Sequence, residues 1–236
     1  YVGNETSPPP KPEHPNELFR NNGDGTFTDV AAAAGVASTG FVKGLTWGDY
    51  DNDGKIDLYL SHLKGRNALF HNREAEDGAV RFAEVAETAG VQAPSISFPT
   101  WFWDYDNDGW QDLFVAGFDM AELGDMAAVH LDLPFGAEHA HLYRNAGDGT
   151  FREVSAEVGL DRIILVMGAN FGDLDNDGWL DAYFGTGMPD MRTLLPNRMV
   201  RNDGGRRFQD VTASGGFGHL QKGHGISFGD LDHDGD

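Results

Sequence analysis

Short apolar or alternating runs recur along this chain, each set off by glycine, asparagine and aspartate. Gly44-Leu45-Thr46-Trp47-Gly48, Leu58-Tyr59-Leu60, Leu69-Phe70-His71 and Phe82-Ala83-Glu84-Val85 follow one another in this way. Runs of this length, rich in aromatic and β-branched residues and bounded by turn formers, predict short β-strands. The set then repeats. Leu18-Phe19-Arg20-Asn21, Leu69-Phe70-His71-Asn72, Leu142-Tyr143-Arg144-Asn145 and Met199-Val200-Arg201-Asn202 lead to Phe27, Phe82, Phe151 and Phe208, at spacings of 55, 69 and 57 residues. Gly-Asp-Gly at 23–25 and 147–149 supplies a positive-φ turn between the third and fourth strands. Ala86-Glu87-Thr88-Ala89-Gly90-Val91 predicts a single helical turn closed by its glycine. Four short strands repeating at such a period define a propeller blade. The predicted fold is all-β, a partial β-propeller of about three whole four-stranded blades plus two partial ones. Residues 1–35 form a partial blade, 36–90, 91–160 and 161–216 whole blades, and 217–236 a truncated one. Both termini thus fall inside a repeat.

A second motif advances in step with the first. Asp49-Tyr50-Asp51-Asn52-Asp53-Gly54, Asp104-Tyr105-Asp106-Asn107-Asp108-Gly109, Asp173-Leu174-Asp175-Asn176-Asp177-Gly178 and Asp230-Leu231-Asp232-His233-Asp234-Gly235 are separated by the same 55, 69 and 57 residues. Asp57, Asp112 and Asp181 stand at the ninth position of the first three. Alternate carboxylates on a curled loop converge on one centre, glycine at the sixth position permits the turn, and hard oxygen ligands at this density suit Ca²⁺. A solvated Asp-Asn-Asp-Gly turn accounts for one copy, not for four with identical spacing. An EF-hand would need glutamate at position 12 and flanking helices. Here that position is Leu60, Val115 or Phe184 and the flanks are strand-like. The expected ligands are the side chains at positions 1, 3, 5 and 9 and the backbone carbonyl at position 7, which is Lys55, Trp110 or Trp179. Three sites are complete. The fourth, with Asp230, Asp232 and Asp234, reaches only position 7 at Asp236 and lacks its closing ligand.

The charge follows from these loops. The chain has 236 residues, 38 acidic and 17 basic, for a net charge of −21, and four Ca²⁺ would bring this to −13. So acidic a surface argues against a nucleic-acid partner, which needs a basic footprint. The absence of cysteine excludes disulfides, thiolate metal sites and a cysteine nucleophile. No apolar run is long enough to span a membrane.

The longest unit carries extra residues between Asp119 and Ala140. Asp119 is placed to cap a short helix with Met120, Leu123, Ala127 and His130 on one face and Pro134 beyond its end. Such an insertion either packs as a flap on the blade or contacts a partner. Trp101, Trp103, Trp110 and Trp179 offer sugar-stacking surfaces, against a plainer role in the core or against the neighbouring blade. His130, His139 and His141, and His219 and His224, match no histidine metal motif and read as surface or packing residues. No nucleophile elbow or phosphate-cradling loop is present, so no catalytic residue is nominated.

Trp47-Gly48, Phe171-Gly172 and Phe228-Gly229 before the loops resemble the Phe-Gly of FG-GAP repeats, found in integrin α-subunit propellers, and of the related VCBS repeats. Unit two departs with Phe102-Trp103, which suggests a different approach to its loop. The fuller run from Leu18 to Val30, followed by Trp47-Gly48-Asp49-Tyr50-Asp51-Asn52-Asp53-Gly54, resembles the cartilage-acidic-protein group, whose bacterial members carry an ASPIC/UnbV domain after the propeller. The resemblance implies an integrin α-like propeller with calcium sites on one rim. It also implies an extracellular, cell-surface or periplasmic location and an adhesion, interaction or scaffold role toward a protein or glycan ligand. The alternative is a calcium-dependent propeller that binds or degrades polysaccharide.

Overall fold

The computed structural model describes residues 1–6, 14–74, 79–119, 123–188 and 195–229. Its architecture is three four-stranded antiparallel sheets and one two-stranded sheet, arranged as a partial β-propeller that does not close. The two-stranded sheet pairs β1 (Phe19–Asn21) with β2 (Phe27–Asp29). The next contains β3 (Val42–Gly48), β4 (Asp57–His62), β5 (Ala68–Glu74) and β6 (Val80–Glu84), paired in that order. The third holds β7 (Ser97–Trp103), β8 (Asp112–Gly117), β9 (His141–Asn145) and β10 (Phe151–Glu153). The last holds β11 (Val166–Gly172), β12 (Asp181–Thr186), β13 (Arg198–Asn202) and β14 (Phe208–Asp210).

Second strands read as continuous apolar runs because both their faces are buried. In β8, Leu113 and Val115 pack toward the preceding sheet, with Tyr50, Tyr59 and Leu69. Phe114 and Ala116 pack toward the following one, with Ala182, Phe184 and Val200. Alternation along one strand thus feeds two inter-sheet cores. Trp101 and Trp103 are 7% and 3% exposed, Trp101 stacks on Phe114 at 4.3 Å and Trp103 on Phe208 at 5.7 Å. Both are core residues, which removes them from any sugar platform.

Each fourth strand ends in an acid that starts the helical turn after it. Asp29, Glu84 and Glu153 accept the backbone N–H of Ala31, Ala86 and Ser155. These are the first residues of α1 (Ala31–Ala34), α2 (Ala86–Ala89) and α4 (Ser155–Val158). Gly35, Gly90 and Gly159 close the turns in the left-handed region, where a side chain would be strained.

Three expectations change. The insertion does form a helix, α3 (Leu123–His130), but its buried face is Met126 and Val129, while Ala127 and His130 are exposed. Met126 and Val129 sink into a cluster with Phe118, Ile164, Leu165 and Leu195, and this tertiary contact sets the helix rotation. Asp119 accepts the N–H of Glu138 at 3.1 Å, tying the two ends of the insertion together. Met120 lies outside the described residues. Unit two reaches its loop in the usual register despite Trp103, because Trp103 pairs with Asp112 as Gly48 does with Asp57 and Gly172 with Asp181. Residues 217–229 form no regular strand, although they run beside β11, where Asn170 Nδ2 donates to the Ile226 carbonyl. In the complete sheets a ladder to the second strand orders the first, and no such partner stands beside this segment among the described residues.

First strands approach closely where they are small. A Cβ on Gly44 would collide with the Phe98 carbonyl oxygen of β7, and one on Gly168 with the carbonyl of His224. Gly44→Val should therefore force β3 and β7 apart and cost about 1–3 kcal/mol. Chemical denaturation would show it as a lower midpoint with an unchanged slope, and an unaltered midpoint would contradict the close approach.

Candidate metal centres

The first three acidic loops each connect strand one to strand two of a four-stranded sheet. Their curl is enforced by hydrogen bonds internal to the loop. The carboxylate at position 1 accepts two N–H groups. Asp49 takes those of Asp53 at 3.1 Å and Gly54 at 2.9 Å; Asp104 takes those of Asp108 and Gly109, and Asp173 those of Asp177 and Gly178. The position 5 carboxylate accepts the N–H at position 7, from Lys55, Trp110 or Trp179. The glycine at position 6 has φ of 83°, 90° and 87°, and the asparagine at position 4 has φ of 55°, 52° and 56°. Asparagine is among the few side chains that tolerate that region.

Asp57, Asp112 and Asp181 are each 0% exposed. One carboxylate oxygen accepts the N–H at loop position 2, from Tyr50, Tyr105 or Leu174, at 3.3, 3.2 and 2.9 Å. The other accepts an N–H from the third strand, from Asn72, Asn145 or Asn202, at 2.7, 2.8 and 2.7 Å. The ninth residue thus rivets the loop to the sheet. Two of these asparagines reach the previous unit, with Asn145 Nδ2 donating to the Tyr50 carbonyl at 2.7 Å and Asn202 Nδ2 to that of Tyr105 at 2.8 Å. Along the rim, Asn52 Nδ2 donates to the Gly109 carbonyl and Asn107 Nδ2 to that of Gly178, both at 3.1 Å.

Carboxylate oxygens of Asp49, Asp51 and Asp53, and of Asp104, Asp106 and Asp108, lie within 4.8 Å of one another. So do those of Asp173, Asp175 and Asp181. Asp51 and Asp57 form a further group with His71. These clusters can hold a metal ion. The chemistry of Asp106 fits one: its Oδ1 is buried without a hydrogen-bond partner, the state of an oxygen that needs a cation. Asp230, Asp232 and Asp234 lie outside the described residues.

Sequence reasoning missed the basic side chain that precedes each third-strand asparagine. His71 Nδ1 lies 3.4 Å from Asp51 and 3.3 Å from Asp57. Arg144 pairs with Asp106 at 2.7 Å and Asp108 at 3.0 Å, and Arg201 with Asp175 at 3.1 Å. The repeat carries the signal, since a basic residue occupies that column in every unit. Lys55 Nζ also meets Asp53 at 2.7 Å. Trp110 and Trp179 lie against the turn glycines of their own sheets, Gly147 and Gly205, and Gly205 also abuts Asp106 of the preceding unit. The rings of His139 and His141 lie 5.0 Å apart, tilted by 32°, and His141 Nδ1 meets the Tyr143 hydroxyl at 3.0 Å.

The fold and rim together define a class: an open arc of propeller blades, each complete one carrying an acidic loop between its first two strands. The chain belongs to the FG-GAP-like repeat family, whose repeat matches residues 10–60, 49–115 and 104–184. It is similar to cartilage acidic protein 1 of Homo sapiens, 31% identical over 173 residues, covering 71% of this chain and 24% of that protein. It is 36% identical over 101 residues to cartilage acidic protein 1 of Xenopus tropicalis, covering 42% of this chain and 15% of that protein. The chain therefore spans about a quarter or less of the curated relatives it matches. Among the described residues, no helix is long and apolar enough to cross a membrane.

Burial, and then the neighbouring carboxylates against the bonded N–H groups, push the Asp112 carboxyl up to about 8 and that of Asp57 to about 6. Burial raises Asp181 and Asp106 as well. With folded-state pKa values above the unfolded ones, these carboxylates make stability fall as pH rises from about 4 to 8 in the metal-free protein, while His62 and His141, whose pKa values burial lowers, act oppositely below about pH 6.5. In chelator, the melting temperature should therefore drop from about pH 6.5 to pH 8, and a bound cation should remove most of the drop. A chelated protein that melts higher at pH 8 than at about pH 6.5 would contradict the burial of these charges.

Proposed function

We propose that this chain is a calcium-binding FG-GAP-repeat module of an exported protein, serving as an adhesion, interaction or scaffold surface. The observation that carries the reading is the threefold recurrence of a pre-curled carboxylate loop closed by a fully buried aspartate. Oxygen-only donor sets of this density favour a hard divalent cation of flexible coordination, which is Ca²⁺. The proposed ligands are Asp49, Asp51, Asp53 and Asp57 in the first loop. Asp104, Asp106, Asp108 and Asp112 serve the second, and Asp173, Asp175, Asp177 and Asp181 the third. The carbonyls of Lys55, Trp110 and Trp179 complete these sets, and Asp230, Asp232 and Asp234 begin a fourth. Bound calcium would neutralise carboxylates that the fold holds together at a cost. Because the hydrogen bonds already shape the loops, the ion acts as a staple more than as a switch. Similarity to cartilage acidic protein 1 supports the placement outside the cell; a protein or glycan is the proposed ligand of the module.

At a Kd on the order of 10⁻⁴ M and ~1 mM calcium, each site adds about 1.4 kcal/mol, so three contribute about 4 kcal/mol. For a domain of this size that raises Tm by roughly 10 °C. Scanning calorimetry with calcium and with chelator measures it, and coincident transitions would remove the staple.

Asp112→Ala should reduce the number of calcium ions bound by one and leave the other sites intact, since repeat units contact only their neighbours. It also strips the acceptor from two backbone N–H groups, and should cost on the order of 2–3 kcal/mol even in chelator. Titration calorimetry that finds undiminished stoichiometry in this variant would overturn the ligand assignment.

A further inference from the structure

At the end of β4 opposite the acidic rim lies a cavity of about 520 Å³, walled by the segment before β3, the loop from His62 to Asn67, and Gln92. Its size falls within the roughly 300–1,000 Å³ typical of small-molecule sites. Two cations border it, Lys64 and Arg66, both exposed and neither engaged in an ion pair among the described residues. That is notable in a chain where acids outnumber bases by 38 to 17 and where Lys43, Lys55, Arg144, Arg198 and Arg201 all meet a carboxylate.

The cavity has a fixed floor. His62 is 6% exposed, and its Nδ1 has no hydrogen-bond partner. Its backbone N–H is held by Asn67 Oδ1 at 2.9 Å and Ser97 Oγ at 3.1 Å. On its other side the ring rests against Gly40, where a Cβ would lie 2.7 Å from Cδ2. The ring is wedged, and burial lowers its pKa against a smaller opposing pull from the Arg66 backbone, so it enters the cavity as a neutral hydrogen-bonding group. Uncharged donors complete the wall: Ser38, Thr39 and Gln92. One carboxylate, Glu84, also lines this wall; it accepts the N–H of Ala86, the same capping duty that Asp29 and Glu153 perform in other units, and the two cations outweigh its single charge. The acidic rim is too far away to cancel the cations. Six residues of β4 separate Asp57 from His62 by about 17 Å, twice the screening length of about 8 Å at physiological salt.

We propose that this cavity binds an acidic sugar. Lys64 and Arg66 take the carboxylate of a hexuronate, and His62, Ser38, Thr39 and Gln92 hydrogen-bond its hydroxyl groups. The cavity thereby names a ligand class for the interaction module argued above, on a face that does not use the metal centres.

The test titrates the calcium-loaded chain with glucuronate, glucose and inorganic sulfate, followed by NMR shifts of the 38–40 and 62–67 backbone. The expected result is saturable binding of glucuronate, none of glucose, and sulfate at least tenfold weaker. The double variant Lys64→Gln, Arg66→Gln should weaken glucuronate at least tenfold, the loss of one charge-assisted hydrogen bond. Its melting temperature should not move, because both side chains are exposed. Absence of saturable glucuronate binding, equal binding of glucose or sulfate, or a double variant that binds as well as the parent would each overturn the proposal. Calcium-dependent melting on the same samples reports on the rim separately, so failure here leaves that reading standing.

Discussion

The structure turns on a buried carboxyl group. Asp57, Asp112 and Asp181 have no exposed surface, and an isolated carboxylate in such a place would be costly. Each is tolerated because its two oxygens accept backbone N–H groups from two directions, the acidic loop and the third strand. The bond to the loop fixes how the loop curls, and the bond to the strand fixes where the loop sits on the sheet. Everything at the rim inherits its position from this contact: the convergent carboxylates, the asparagine that bridges to the previous unit, and the basic side chain beside it.

The Phe-Gly pair acquires a physical reason from the packing. A Cβ on Gly48 would strike the Phe102 ring, and one on Gly172 the ring of Phe228. The glycine of one unit is thus the seat for the aromatic ring of the next. Unit two has Trp103 at this place, and Phe171 packs beside it at 5.5 Å. A larger residue is accommodated there because Trp103 stacks on Phe208 and joins a core already rich in aromatic rings. The exception is therefore a change in how the seam is filled, with the strand register untouched.

Strands, turns and acidic loops were legible because each is written locally. A β-run ends at glycine or asparagine, the loop glycines need positive φ, and carboxylates at alternate positions converge whatever surrounds them. The features that escaped depend on residues distant in sequence. Which face of α3 is buried is settled by Phe118, Ile164 and Leu195, none of them within the helix. The partners of His71, Arg144 and Arg201 stand 14 to 38 residues away, on loops that only the sheet brings near. The role of Glu84 was hidden for the opposite reason, since an acid before a valine looks like ordinary surface until its bond to the next turn is seen.

The hydrogen bonds from Asn52 to Gly109 and from Asn107 to Gly178 have the same donor and acceptor positions in each unit, and so do those from Asn145 to Tyr50 and from Asn202 to Tyr105. A seam built from positions that every unit possesses is indifferent to which unit supplies them. Duplicating one unit would bring both halves of a new seam with it, ready to join neighbours on either side. Such a junction gives a gene that grows by copying a segment a protein that lengthens without any change to its existing parts. Lineage and length can then vary while the chemistry of the join stays constant.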